Sequence, residues 1–470
     1  MVDRRRDVLV LLAAVVAAWA TSFAGTFQFD DWNVIVNEPR VASLAAWWGS
    51  MPGIRPLLKL SFAANRGSGL GLAGFHAVNL AIHAGSALLV LSLLRRVASR
   101  TGAADARHRA APLLGALLFA LHPVQAESVT YLSGRSASLA GMLALGSVVA
   151  WLAGRDGERW RLSLVLSPLL LAAALAAKET AVVLPAALLL LDAVDLRRPF
   201  RWRGSLTATA PHWAVLAGAA AAFAASPTYR RMLATSAALR PPWENLLTHV
   251  DAVAWLAGQV VRIDRLVADP ALPAVGGWTV AVAVEGALLL AVLAWALSSL
   301  RRRPALAFGV LWFLLWLPPT GWWLPRPDPA SERQLYLSLA GPAWIAGFWL
   351  SPWVAGGGVR RAAVGAVVIV LGAATAARSL VYTDEVRFWE DVIRKAPHGA
   401  RAHGNLGFAL AARCRIPEAE AALLRALELD PGYVRAAVNL RLLREGAPLG
   451  PGEPRCPPAE RQPVERPPRP

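Results

Sequence analysis

The chain has 470 residues, of which 56% are hydrophobic and only 17% charged, with a formal net charge of +17. A soluble domain is about 45–50% apolar and about 25% charged, so a purely soluble protein is excluded. The basic balance is not read as a nucleic-acid signature either, because Lys and Arg sit in short segments between long apolar runs, the pattern that sets membrane orientation.

The first apolar run, DVLVLLAAVVAAWATSFAG, follows Arg4, Arg5 and Arg6. It is long for a signal-peptide core and leads to Asp30 and Asp31 rather than to a small-residue cleavage site, so it reads as a retained anchor. About 18 apolar residues suffice to cross a bilayer as helix. On that basis about eleven spans are predicted, near 8–25, 74–94, 110–122, 136–153, 162–177, 179–195, 207–225, 277–299, 304–320, 335–353 and 362–380. The third is short and is expected to form a hairpin with the fourth. With the N-terminus inside, the inner segments carry Arg95, Arg96, Arg100, Arg107, Arg109, Arg155, Arg159, Arg161, Arg197, Arg198, Arg201, Arg203, Arg301–Arg303, Arg360 and Arg361, and the positive-inside rule holds at every turn. The stretch 249–262, HVDAVAWLAGQVVR, is apolar but short. If it crossed, Arg301–Arg303 would fall outside, so it is read as a re-entrant or interfacial helix within an outer segment 226–276.

The outer segments hold the candidate chemistry. In the first, 26–73, FQFDDWNVIVNEP sets Asp30 and Asp31 side by side just after a span. A carboxylate there can act as general base toward a hydroxyl or bind a cation; taken alone, the doublet is a solvated loop start. Arg55 and Lys59 in the same loop suit a phosphate at the interface or ordinary snorkelling. His76, Asn79 and His83 fall on one face of the second span, where polar groups face the bundle interior. Hydrogen-bonding roles are favoured over a metal, since no carboxylate or third His is spaced with them. The segment ALHPVQAESVTYLSGRSASLAG offers His122, Glu127 and Arg135 between two spans. Lys178 and Glu179 meet at the next outer turn, either as a self-neutralising pair or as a contact for an anionic headgroup. SERQLYLSLAG brings Glu332, Arg333 and Tyr336 to the mouth of a late span, as part of a site or as an interfacial anchor. No metal site and no required cofactor emerge from these spacings; a divalent cation is left open.

After the last span, ARAHGNLGFALAARCRIPEAEAALLRALELDPGY fits the 34-residue helix–turn–helix period of a tetratricopeptide repeat (TPR). Asn405, Leu406 and Gly407 open one helix, Ala419, Leu423 and Ala426 line the next, and Pro431 closes it. Flanking half repeats extend the module over 381–446, beyond a transmembrane domain of 1–380. One repeat cannot bury its own face. The Pro-rich remainder, 447–470, is expected to be disordered. Cys414 and Cys456 pair as a disulfide or stay as two thiols. There is no P-loop, dinucleotide fingerprint or cytosolic nucleotide domain, which argues against an ATP-driven pump or a nucleotide-sugar enzyme.

Taken in order, FQFDDWNVIVNEP, RPLLKLSFAANR, FHAVNLAIHAGSALLV, LFALHPVQAESVTYLSGRSASLAG, KETAVVLPAALLLLD, SERQLYLSLAG and the repeat resemble the transmembrane and tetratricopeptide-repeat proteins of the GT-C type glycosyltransferases. More distantly they resemble the protein O-mannosyltransferases. The resemblance covers residues 20–445 and implies an all-α, polytopic enzyme with its TPR module outside the cytoplasm. It further implies transfer of a sugar, often mannose, from a polyprenyl-phosphate donor to a protein hydroxyl. Asp30 and Asp31 match the catalytic acidic pair. His122, Glu127, Arg135, Lys178, Glu179, Glu332, Arg333 and Tyr336 match the remaining motifs, with Arg55 and His76 as further candidates for the lipid phosphate. The repeat array is shorter than in animal members, and the Ala- and Arg-rich composition suits a bacterial inner membrane, with the N-terminus cytoplasmic and the TPR module periplasmic. Two rivals are a membrane-anchored TPR scaffold without chemistry, and an oligosaccharide ligase or polymerase, which would carry its key Arg and His in a large late loop.

Overall fold

The structure, a computed structural model, describes residues 2–51, 53–157, 159–322 and 325–447. Among these there are helices and loops and no β-strand. The chain divides into two compact units. One comprises the residues up to Gly25, Asp30–Leu266 and Leu272–Leu380; the other comprises Thr26–Phe29, Val267–Ala271 and the chain from Val381 on.

The principal helices of the first unit are α1 (Val2–Trp19), α2 (Pro56–Gly67), α3 (Gly71–Arg100), α4 (Ala111–Ala120), α5 (Arg135–Asp156), α6 (Ser167–Ala177) and α7 (Leu184–Val194). They continue as α8 (Trp202–Ala225), α9 (Pro227–Ala237), α10 (Pro242–Gln259), α11 (Val280–Ser298), α12 (Pro304–Leu315), α13 (Ala340–Ala355) and α14 (Gly358–Ser379). Leu- and Ala-rich runs propagate these helices, and Pro at the first turn of α4, α10 and α12 presets the backbone where no N–H is needed. Each segment predicted to span is largely helical. Six helices among the described residues are long and apolar enough to cross a membrane: Arg4–Ala24, Gly71–Arg100, Leu132–Asp156, Trp202–Ala225, Val280–Ser298 and Gly358–Thr383. The apolar helices Ala111–Ala120, Leu162–Ala177 and Pro304–Leu315 are shorter. The chain is a multi-pass membrane protein. The segment expected at 249–262 begins earlier, at Pro242, and ends at Gln259.

Burial divides the helices by role. In α3 and α5 the faces are largely buried, whereas α11 and α14 expose apolar side chains such as Val284, Leu288 and Ile369, the faces a bilayer would solvate. Close packing relies on small residues: a Cβ at Gly341 of α13 would lie 2.1 Å from the Gly309 carbonyl oxygen of α12. At the Arg-rich end, Asp156 pairs with Arg96 at 2.8 Å, Arg100 at 2.6 Å and Arg197 at 3.1 Å. Asp195 joins Arg197 at 2.9 Å and Arg100 at 3.3 Å. Two aspartates thus knit α3, α5 and the segment after α7.

The second unit holds α15 (Glu385–Lys395), α16 (Ala400–Ala411), α17 (Ile416–Leu429) and α18 (Val434–Glu445). Successive helices pack on one another. The Asp384 side chain caps α15 by accepting the Arg387 N–H at 2.9 Å. A Cβ at Gly407 would stand 2.6 Å from Leu423 Cγ, so glycine sets the α16–α17 approach. Leu423, Ala426, Ala436 and Leu440 form the core between α17 and α18. Cys456 and nearly all of the predicted tail lie outside the described residues.

Candidate active site

The acidic doublet follows α1 and lies against the chain between α4 and α5. That chain runs through a helical turn, Ala126–Val129, and doubles back at Gly134, where a Cβ would sit 2.0 Å from the Glu127 carbonyl oxygen. The tight return aims Ser133 at the doublet. Asp31 is fully buried, and its Oδ1 accepts the Ser133 N–H at 2.7 Å and the Ser133 hydroxyl as well. Asp30 is half-buried and donates its N–H to the Tyr131 hydroxyl at 3.0 Å. Burial pushes the Tyr131 phenol well above its usual range, and the Asp31 and Asp30 carboxylates push the same way. The two aspartates therefore differ: one is anchored in the wall, the other stands at its edge.

The segment that meets the doublet also meets Arg333, one of several cations in the loops between helices. Glu127 accepts the Arg333 N–H at 2.9 Å and pairs with the Arg333 guanidinium at 3.5 Å. Burial raises the Glu127 carboxyl, with Arg333 as the main opposing influence. Burial works against the Arg333 charge, and the Glu127 carboxylate, with Tyr131 and Asp30 adding to it, holds Arg333 protonated. Arg55 forks onto Glu179 at 3.1 and 2.8 Å, and Tyr229 donates to the same carboxylate at 3.3 Å. Arg55 does this from a left-handed backbone, φ 49° and ψ 57°, a strained conformation for a non-glycine residue, of the kind that clusters at functional sites. Lys178 is buried. Burial lowers its ammonium well below the lysine range, and Arg333, Arg55 and Arg326 add to the effect while Glu179 opposes it. Arg326 is likewise lowered by burial, to about 10, with Arg55 and Arg333 contributing. Glu179 and Glu127 are thus engaged by Arg55 and Arg333, and among the described residues no carboxylate comes within ion-pair distance of Lys178 or Arg326.

Other residues singled out in the sequence serve the scaffold around this centre. Arg135 is fully buried: Nε donates to Asn79 Oδ1 at 2.6 Å, Nη2 to the Phe75 carbonyl at 3.0 Å and Nη1 to the Ser61 carbonyl at 3.2 Å, with the Phe62 ring at 4.7 Å. Asn79 continues to the Val129 carbonyl at 3.0 Å. His76 meets the Gly25 carbonyl at 3.1 Å. His83 Nε2 reaches the Ala120 carbonyl and Nδ1 the Tyr336 hydroxyl, both at 3.0 Å, so a neutral ring donates to the first and accepts from the second. His122 accepts the Val124 N–H at Nδ1 and donates from Nε2 to the Val260 carbonyl at 3.0 Å. Glu332 lies 3.6 Å from Arg378, both buried. Lys178 and Glu179 are not each other's ion-pair partners. No group of three or more metal-ligating residues occurs among the described residues.

Four participants were not singled out in the sequence: Ser133, Tyr229, Arg326 and Arg378. Arg326 carried a signal, a cation in the same outer segment as Arg333; the others lie inside ordinary-looking runs.

Cations that no carboxylate neutralises are groups an anion can use, and the burial of Lys178 also makes a pH prediction. A lysine with a depressed native pKa binds fewer protons when folded than when unfolded, so stability rises with pH between the native and unfolded values. Just below the ordinary lysine range the unfolding midpoint is expected to climb with pH, and Lys178→Met is expected to flatten that climb. A slope unchanged in the variant would show that Lys178 is not the source.

Among curated proteins, the chain is similar to protein O-mannosyl-transferase TMTC4 of Homo sapiens, 33% identical over 165 residues, which is 30% of this chain and 22% of that protein. It is 30% identical to protein O-mannosyl-transferase Tmtc2 of Drosophila melanogaster over 204 residues, 42% of this chain and 19% of that protein. With protein O-mannosyl-transferase TMTC3 of Mus musculus it shares 27% over 198 residues, 38% of this chain and 20% of that protein. The chain thus spans about a fifth of the length of these relatives, and the relationship is a distant one. No family model matches. No solved structure matches.

Proposed function

We propose that the chain is a membrane glycosyltransferase that moves a sugar from a polyprenyl-phosphate donor to a protein Ser or Thr hydroxyl on the extracytoplasmic side. The observation that carries this reading is that one short segment, 127–133, meets both the acidic doublet, through Tyr131 and Ser133, and the cation Arg333, through Glu127. The relatives' names supply the reaction class, with mannose as the sugar.

Asp30 takes the proton from the acceptor hydroxyl. That oxygen attacks the anomeric carbon, the bond from carbon to phosphate oxygen breaks, and the lipid phosphate leaves with the electron pair. The donor is a phosphodiester with one negative charge and the departing monoester carries up to two, so fixed cations bind the developing charge more tightly than the ground state. Arg333, Lys178, Arg326 and Arg55 fill that role. Asp31 holds Ser133 and with it the wall behind Asp30. Arg135, His76, His122, Glu332 and Tyr336 position the segments that carry these groups. A single displacement inverts the anomeric centre.

The orientation read from the arginine bias makes this face periplasmic in a bacterial inner membrane. The C-terminal helical unit, as a TPR module, presents the acceptor. Mass spectrometry of envelope proteins from cells with and without the gene tests the reading. Loss of hexose from Ser or Thr peptides is expected on deletion. An unchanged glycoproteome with disturbed assembly of an envelope complex would identify a scaffold instead.

A further inference from the structure

At the Arg-rich end of the helices, three segments are stitched together through main-chain carbonyls. Arg301, between α11 and α12, donates to the Asp195 carbonyl at 2.8 Å and the Arg198 carbonyl at 3.1 Å. Arg198 donates in turn to the Arg155 carbonyl at 2.8 Å. The segments that follow α5, α7 and α11 therefore share one surface. The aspartates there are already engaged. Asp156 and Asp195 are held by Arg96, Arg100 and Arg197, and Asp192 meets Arg155 at 3.1 Å. Glu158 lies outside the described residues.

Each segment also carries a pair of arginines that this network leaves out: Arg159 with Arg161, Arg201 with Arg203, and Arg302 with Arg303. All of these side chains are exposed. Among the described residues no carboxylate comes within ion-pair distance of any of them. The first pair leads through the helical turn Leu162–Leu166 into α6, and the second opens α8. Those two helices are tied to each other where Ser167 Oγ meets His212 Nε2 at 2.7 Å, so the two pairs stand at neighbouring helix starts. Trp160 and Trp202 sit between the members of these pairs and are 56% and 63% exposed. The Arg161 guanidinium lies 5.5 Å from the Trp160 ring centre. Exposed indole flanked by arginine is the composition of the membrane–water boundary, so a ligand for this surface is met where phospholipid phosphates lie.

One exposed arginine gains little from one anion in water. Several on a shared surface gain most from a ligand that carries more than one phosphate, and basic surfaces between membrane helices take anionic headgroups of that kind. We infer that this surface is a headgroup site for an anionic phospholipid with two phosphates, held across the three arginine pairs with Trp160 and Trp202 beside its glycerol groups. The inference does not depend on the proposed sugar transfer and uses none of the residues assigned to it.

The test titrates the full chain, delipidated in detergent, with cardiolipin, phosphatidylglycerol, phosphatidylethanolamine or inorganic phosphate, and reads bound lipid by native mass spectrometry. Cardiolipin is expected to bind at least tenfold more tightly than phosphatidylglycerol, to resist displacement by inorganic phosphate, and to weaken as salt is raised. Arg201→Gln, Arg203→Gln and Arg302→Gln combined are expected to erase the preference for cardiolipin. Arg360→Gln with Arg361→Gln, at another exposed arginine pair in the first turn of α14, is expected to leave it intact. A photoactivatable cardiolipin should label the segments around Trp160 and Trp202. Equal binding of the two anionic lipids, equal loss in both variants, or labelling confined to other segments would overturn the site. So would binding of an acidic protein or a nucleic acid at this surface with no lipid preference. Unfolding midpoints check that the variants fold; if the triple variant does not, the labelling of the unaltered chain decides.

Discussion

Asp30→Asn, at wild-type expression, is expected to lose sugar transfer by about 10²-fold or more, the usual scale for removing a general base. That corresponds to about 2.7 kcal/mol of barrier. Asp31→Asn is expected to behave differently. The Asp31 carboxylate is fully buried and accepts the Ser133 amide and hydroxyl through one oxygen; asparagine keeps an acceptor oxygen there but loses the charge that strengthens both bonds, which costs about 1–3 kcal/mol of stability. Steady-state rates across pH, together with unfolding midpoints, separate the two. Asp30→Asn should remove the acidic limb of the rate profile and keep the midpoint, whereas Asp31→Asn should lower the midpoint and keep the limb. Unchanged transfer in both variants would remove the doublet from the chemistry.

The largest stability effect is expected at Arg378. Its side chain and that of Glu332 are 6% and 0% exposed and lie 3.6 Å apart. Taking one member from a buried ion pair costs about 3–5 kcal/mol, because the remaining charge stays in a poor solvent. Arg378→Leu should therefore lower the unfolding midpoint sharply in detergent. Adding Glu332→Gln to Arg378→Leu should recover part of the loss, since the buried carboxylate charge is then removed as well. Arg378 lies in the last turn of α14, where Thr130 also donates to Ser379 at 3.0 Å, so the pair ties α14 to the segment behind the candidate site. A double variant no better than the single one would mean that the guanidinium acts by packing alone.

The sequence carried the membrane character and the helical class openly, because both are written in local patterns: apolar runs, Arg-rich breaks, and Pro at helix starts. The residues of the site were also largely legible, since polar side chains between apolar spans are conspicuous. Their partners were not. Glu179 adjoins Lys178 in sequence yet forks with Arg55, 124 positions away. Glu127 takes the Arg333 amide across 206 positions. Arg135, read as a phosphate ligand, is instead sheathed by Asn79, Ser61, Phe75 and Phe62. A buried arginine and a ligand-binding arginine look alike in a string of letters; only the nearby acceptors distinguish them. The start of α10 at Pro242 was hidden because WENLLTH breaks the apolar run while continuing the helix.

Sugar transfer by the purified full chain in nanodiscs is the most direct test. Polyprenyl-phosphate mannose and a Ser/Thr-rich acceptor peptide should give a mannosylated peptide and free polyprenyl phosphate in equal amounts. A nucleotide-linked mannose should give none. Transfer from the nucleotide sugar, or from neither donor, would contradict the account.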